Sequence, residues 1–322
     1  MEISIKDFEG ISIGQTENEE AGTGCTVFLS KTGMRAGVDI RGGGPAGRET
    51  QLLNPLMAAK EIHAVVLAGG SAYGLGAAGG VMSFLEEKGI GYDVGVTKVS
   101  LVVQSDIFDL TVGSVTCRPD ETMGYEAARI AYEGGNYRNG NYGAGCGATV
   151  GKIAGMDRCM KTGIGSFCMQ VGDLKVGAVV VLNALGDIYD YRNQKMIAGL
   201  LTPDRKAFSS TITYMKEHLE VMENKFTTNT TLAVVMTNAY FEKPQLCKIA
   251  GMAQDGYARS IFPVHTSADG DTIYALSLGD VPGDMDQVGT FASIVVSEAI
   301  LWAVQSAKGA YGYPSARDVG FL

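Results

Sequence analysis

Residues 225–238 read KFTTNTTLAVVMTN. Five hydroxyl or amide side chains in a row, Thr227, Thr228, Asn229, Thr230 and Thr231, run into an apolar segment. The segment predicts a strand over 231–237. Asparagine suits turns and threonine suits strands, so a turn followed by an edge strand is one reading. The Asn229–Thr230 step carries a second, chemical reading. A threonine hydroxyl can attack the carbonyl just before it and shift the acyl group from nitrogen to oxygen. Hydrolysis of that ester leaves Thr230 as a new N-terminus. A free α-amine has a pKa of about 8, low enough to act as a base near neutral pH. One residue then supplies both nucleophile and base. The chemistry needs a hydroxyl residue, a preceding loop and a rigid strand after it, and all are present here.

The rest of the chain sets bounds on that reading. It has 322 residues, 46% of them hydrophobic, which is enough for a substantial core. Glycine is abundant at 44 residues and charged residues make up only 19%, so the chain is ordered and turn-rich rather than disordered. A net charge of −9 argues against a nucleic-acid or anionic-membrane partner. The six cysteines are scattered and form no C-x-x-C pair, so zinc has no support and reduced thiols in the cytosol are expected. The start, MEISIKDFEG, has no apolar leader, and a cytoplasmic protein is expected. The most membrane-like run, Val288 to Val304, is interrupted by Glu298 and reads as a buried core helix.

Short strands are expected at ISIGQ, CTVFLS and MRAGVDIR, then a Gly/Pro loop over 41–50 and a short helix near 55–61. A strand over 63–70 precedes a helix over 74–88 closed by Gly89. Asp120 reads as the N-cap of a helix that runs to about 135. A turn-rich loop covers 136–148. A buried strand from 176 ends in a turn at Asn183 to Gly186, with a second strand after it. A connector over 195–226 leads to the Thr-rich strand. Helix 244–260, strand 272–278 and a long helix over 285–306 complete the chain. Strands and helices mix without strict βαβ alternation, which favours one α+β or layered domain over residues 1–322 with a largely antiparallel sheet.

One motif points elsewhere. Gly74-Leu75-Gly76-Ala77-Ala78-Gly79 is a G-x-G-x-x-G between a strand and a helix, with Asp93 about 20 residues on, as a dinucleotide-binding loop asks. The loop from Gly69 to Gly74 is longer than that fingerprint allows. Glycines that let a helix pack closely are the stronger reading. No metal or organic cofactor is called for.

The segment NTTLAVVMTNA resembles the junction of the DmpA-type N-terminal-nucleophile hydrolases: the L-aminopeptidase/D-esterases, β-aminopeptidases and nylon-oligomer hydrolases. The likeness runs along nearly the whole chain. VDIRGGGPAGRETQLLNP, AVVLAGGSAYGLGAAGGVMSFLEEKG, GAGCGATVGK, VGAVVVLNALGDIYD, PVHTSADGDTIYALS and ASIVVSEAILWAV match characteristic blocks in order. The resemblance implies a layered αββα fold and self-processing into 1–229 and 230–322. It implies homo-oligomers, tetramers favoured, of the processed unit, acting on small peptide or amide substrates. It puts the nucleophile at Thr230 and the scissile carbonyl at Asn229. It puts Lys152 beside the nucleophile, Asn183 as an oxyanion donor, and Asp269 and Asp271 as orienting carboxylates. From the residues alone, Lys152 reads as a surface lysine, Asn183 as a turn cap and the two aspartates as an Asp-Gly hairpin. One position departs from the nylon-oligomer hydrolases: their catalytic tyrosine falls at Phe108, which has no hydroxyl.

Overall fold

The computed structural model describes residues 1–219 and 229–321. Thr227, Thr228 and the end of the connector therefore lie outside the described residues. The apolar β-branched runs form the main strands: β1 (Ser12–Asn18), β2 (Thr23–Ile40), β3 (Ile62–Ala68), β4 (Val102–Asp106), β5 (Ile164–Val171), β6 (Leu174–Asn183), β7 (Thr230–Ala239) and β8 (Thr272–Val281). The main helices are α1 (Ala77–Glu87), α2 (Glu121–Tyr132), α3 (Lys243–Ser260) and α4 (Met285–Gln305). Asp120 caps α2 by accepting from the Met123 amide, and Gly89 closes α1 at a positive φ of 64°.

Hydrogen bonding joins ten strands among the described residues. The pairs are antiparallel except β7 with β8 and β3 with β4. β2 is shared between two halves of this sheet. Its first half pairs with β1 and β3, and its second half, from Arg35, pairs with β8. The register against β3 shifts between Leu29 and Met34, and such irregularities bend a strand. The two halves face each other: Phe28, Val65 and Leu67 share a buried cluster with Val179, Val181, Leu232, Val234 and Leu276. α1 and α2 cover the outer face of one half through Val81, Phe84 and Ala128. α3 and α4 cover the other through Ile249, Val295 and Val296. This is the layered αββα sandwich expected from the sequence.

The period-2 pleat assigns each strand residue its layer. Along β7, Leu232, Val234 and Met236 enter the inter-sheet core, while Ala233 and Val235 face α3 and α4. α4 is long and apolar enough to cross a membrane, but it is mostly buried in this layer.

Several expectations need correction. CTVFLS and MRAGVDIR are one strand of 18 residues, not two. No helix forms at 55–61; a 3-10 turn over Thr50–Leu53 ends there, and the Asn54 side chain holds the Leu56 amide. The helix read from residue 74 begins as a 3-10 turn, Ser71–Gly76.

The G-x-G-x-x-G lies in one parallel β3–α1–β4 unit, within a sheet that has no strict βαβ alternation. Its details do not suit a dinucleotide. The Gln104 side chain accepts from the Ala78 amide at 2.8 Å and donates to the Gly74 carbonyl at 2.8 Å, so a side chain occupies the helix start. A Cβ on Gly74 would meet the Asp106 carboxyl at 2.8 Å, an acid where a phosphate would lie. Asp93 sits in a small exposed hairpin, not at the end of β4. Close helix contact falls instead on Gly80, just after the motif, and on Gly124 of α2. A Cβ on Gly80 would lie 1.7 Å from the Glu121 carbonyl, and one on Gly124 would lie 2.0 Å from that of Ala77. Gly80→Ala and Gly124→Ala are each expected to destabilise the chain by about 1–3 kcal/mol through this clash. Gly76→Ala, where a Cβ meets nothing within 4 Å, should be neutral or slightly stabilising. Urea unfolding of the three variants checks the order; equal losses would refute the packing account.

Candidate active site

The ends of β6, β7 and β8 meet at one edge of the inter-sheet core. Asn183 and Thr230 are a directly opposed cross-strand pair, so both side chains share one face. Parity puts them on the face of Val181 and Leu232, which opens to the other half of the sheet. Both are buried. The Thr230 hydroxyl donates to the carbonyl oxygen of Asn229.

The Asn183 amide is oriented by its donors. Its Oδ1 accepts from the Thr149 amide at 3.0 Å and from Lys152 Nζ at 2.9 Å. Its Nδ2 donates to the Phe108 carbonyl at 3.1 Å. The amide cannot turn over without setting donor against donor. Phe108 contributes here through its backbone, so the missing tyrosine hydroxyl does not remove this contact.

Lys152 is buried, not on the surface. Its ammonium donates to both the carbonyl and Oδ1 of Asn183. Burial pushes it down to about 7, against the opposing pull of Cys159, Asp269, Asp109 and Asp271. Its backbone is fixed by Lys152 N–H on the Leu185 carbonyl at 3.1 Å. Gly151 before it has φ of +72°, and a Cβ there would lie 2.1 Å from the Gly199 carbonyl carbon, so the Gly-Lys step has no room for another residue. A second buried lysine, Lys161, clamps the carbonyls of Gly145, Ala148 and Thr162 at 3.3, 3.0 and 2.5 Å. Burial pushes it down to about 8. That clamp holds the loop that delivers Thr149 and Lys152.

Asp269 and Asp271 are not in a hairpin. Thr266 to Asp269 is a turn, and Asp271 leads directly into β8. Asp269 Oδ2 accepts from the Thr266 amide at 2.9 Å and hydroxyl at 2.5 Å. Burial, with the Asp271 charge, pushes Asp269 up to about 6; the Thr266 bonds and Lys152 restrain it. Asp271 Oδ1 accepts from the Thr231 amide at 2.8 Å. Between the two, Gly270 lies under the nucleophile candidate: a Cβ there would be 2.6 Å from Thr230 Oγ1. The RGGGP loop closes the back, with the Gly44 amide on the Asp269 carbonyl at 2.9 Å and the Arg41 amide on that of Asp271 at 3.0 Å.

The structure thus brings Asn229, Thr230, Lys152, Asn183 and the 269–271 segment together. Sequence reasoning missed the Thr149 amide, the Thr266 clasp, the Gly270 contact and His265. His265 stands inside the quoted PVHTSADGDT block, which was the available signal. Chemically the arrangement offers a hydroxyl against a carbonyl, a fixed amide donor, and buried groups that exchange protons near neutrality.

Comparison with known proteins defines the class. The L-aminopeptidase D-Ala-esterase/amidase of Ochrobactrum anthropi superposes with a TM-score of 0.69 at 18% identity, covering 99% of this chain and 92% of its own. A Burkholderia β-aminopeptidase gives 0.67 at 18% identity, covering 98% and 92%. The fold is that of the N-terminal-nucleophile hydrolases. Residues 4–317 match peptidase family S58, and the chain belongs to that family. An uncharacterized aminopeptidase of Mycobacterium leprae is 37% identical, covering 97% of this chain and 92% of its own. A 6-aminohexanoate-oligomer endohydrolase of an Agromyces species is 32% identical, covering 92% and 84%.

The protonation of Asp269 has a measurable sign. Its folded pKa of about 6 stands above the ordinary 3.8. The group favours folding below about pH 4, and that contribution is lost as pH rises through about 6. Lys152 is lowered to about 7 from 10.5, so it penalises folding below about pH 7 and the penalty fades above it. Relative to Asp269→Asn, the parent chain should therefore lose stability between about pH 4 and 7. Thermal melts of both, on a Thr230→Ala background, check this. A parent-minus-variant difference that is flat over that window refutes it.

Proposed function

We propose that this S58 peptidase cuts its own chain between Asn229 and Thr230 and then hydrolyses amide bonds with Thr230 as an N-terminal nucleophile. The observation that carries the reading is the Thr230 hydroxyl held against the Asn229 carbonyl at the head of a strand paired on both sides. In the first step Oγ1 bonds to the Asn229 carbonyl carbon, the peptide C–N bond breaks, and the nitrogen takes the hydroxyl proton. Water then hydrolyses the ester, leaving an Asn229 carboxylate and a Thr230 α-amine. In turnover that amine accepts the Oγ1 proton as Oγ1 bonds to the substrate carbonyl. The departing amine takes the proton, and water releases the acid from the acyl-enzyme.

Asn183 and Lys152 are suited to the charge that develops in both stages. A fixed amide N–H and a buried ammonium act without the reorganisation water would need. Lys152, held near neutrality, can also give up its proton when the new amine gains one. The substrate class is a small amide or peptide with a free amine, as the aminopeptidase names of the relatives suggest. A cut leaves the pieces paired, since β7 is bonded to β6 from the large fragment and β8 from its own. Cytoplasmic location and homo-oligomers of the processed unit belong to the same reading.

Intact-mass spectrometry of the purified protein should give fragments 1–229 and 230–322. Thr230→Ala should stay whole and inactive toward aminoacyl p-nitroanilides. A parent chain that remains whole and still turns over substrate would sink the mechanism. Lys152→Ala and Asn183→Ala should fold, and processed material of each should lose about 10²–10³ in kcat, the usual cost of one oxyanion donor. Near-native kcat in both variants would show that these two residues do not carry the charge.

A further inference from the structure

Asp271 bonds to the residue that follows the nucleophile candidate and to a histidine that has no assigned role. Oδ1 takes the amide of Thr231, the peptide that Thr230 itself forms with its successor. Oδ2 takes both the backbone amide of His265 at 3.1 Å and its ring Nδ1 at 2.9 Å. One buried carboxylate oxygen is thus chelated by one residue. The acceptor is a carboxylate, so Nδ1 carries the proton; the bonding network assigns this tautomer.

We infer that His265 is a positioning residue that acts through Asp271 to set the orientation of Thr230. This rests on the function proposed above. The geometry is specific. His265 adopts a φ of +57°, a left-handed conformation that few side chains take up, histidine among the more tolerant. Successive amides turned toward one side form an anion-binding concavity. Here the amides of His265 and Thr266 go to Asp271 and Asp269 in turn. One dipeptide therefore holds both carboxylates, each by a backbone amide and a side chain.

The far side of the ring supports a fixed placement. The His265 ring packs against that of Tyr257, centroids 6.1 Å apart. Nε2 of His265 and the Tyr257 hydroxyl are buried without hydrogen-bond partners among the described residues. Burial, with the Asp271 charge, pushes the Tyr257 phenol far up, so it stays neutral. The titratable groups around this corner are Asp269, Asp271, Lys152 and Tyr257. Among the described residues, the hydrogen-bond partner of the imidazole is Asp271.

The test separates the side-chain donor from the backbone conformation. Glycine and asparagine both tolerate a positive φ, and only asparagine offers a side-chain N–H. His265→Gly should slow self-processing, and kcat of the processed enzyme, by about tenfold, the scale of one lost hydrogen bond. KM should stay within about twofold, because ground-state binding is not the affected term. His265→Asn should recover most of the loss. His265→Gly/Asp271→Ala should be no slower than Asp271→Ala alone, because the histidine acts through the aspartate. The inference is overturned if His265→Gly lowers the melting temperature and leaves kcat unchanged. It is also overturned if His265→Asn is no faster than His265→Gly, or if the losses in the double variant multiply. Thr230→Ala is assayed alongside. Parent-like turnover by that variant overturns the nucleophile assignment itself, a result distinguishable from any His265 outcome.

Discussion

The pairing of Asn183 with Thr230 is the constraint on which the rest of the site depends. Side chains alternate along a strand, so a slip of β7 by one residue against β6 would turn Thr230 to the helix layer, away from Asn183. The apolar pattern prevents that slip. Leu232, Val234 and Met236 fill the inter-sheet core, and the small Ala233 leaves space for the helices on the other face. The register that buries these residues is the one that sets an amide opposite a hydroxyl. Packing energy spread over two whole strands thereby fixes the geometry of two polar side chains at their ends.

Around this pair the protein surrounds buried charged groups with fixed polar groups. Lys152 and Lys161 lie among carbonyl oxygens, and Asp269 and Asp271 lie among amides, hydroxyls and an imidazole. Desolvation dominates the shifts of both lysines and of Asp269. Burying charge is costly, and perturbed groups gather where chemistry needs them. The cost is met by donors and acceptors fixed in the backbone, which do not move when a proton does.

Much of this was legible in the sequence, and the rest was hidden for identifiable reasons. Thr230 could be picked out as a candidate because the chemistry proposed for it is local: a hydroxyl, a preceding carbonyl and a following strand. Asn183, Lys152 and the two aspartates came from resemblance of blocks, since nothing in their own neighbourhoods separates them from a turn, a surface lysine and a hairpin. β4 escaped because Gln104, Ser105 and Asp106 look like solvent-facing residues. They are buried because Gln104 binds the start of α1 and Ser105 meets the Tyr274 hydroxyl at 2.7 Å. The expected helix at 55–61 failed because Asn54 and Pro55 set a turn where propensity favoured a helix. The Thr149 and Thr231 amides were invisible because a backbone donor has no residue signature.

The break proposed at the head of a central strand would answer a difficulty that a break elsewhere would create. A new N-terminus on a surface loop would be mobile, and its amine could not stay in register with a hydroxyl, an oxyanion donor and a pair of carboxylates. β7 is held along β6 by eight residue pairs and along β8 by a parallel ladder, so the residue behind the proposed break would stay in place. The amine and carboxylate formed in the proposed cut would also change the local charge. In a dry site with only permanent charges that change would strain the fold. Here Asp269 and Lys152 sit at about 6 and about 7, so each can gain or lose a proton near neutral pH at a cost of about 1.4 kcal/mol per pH unit or less. In the proposed cleavage, the buried groups that surround the intact junction would also take up the charge that the cut leaves.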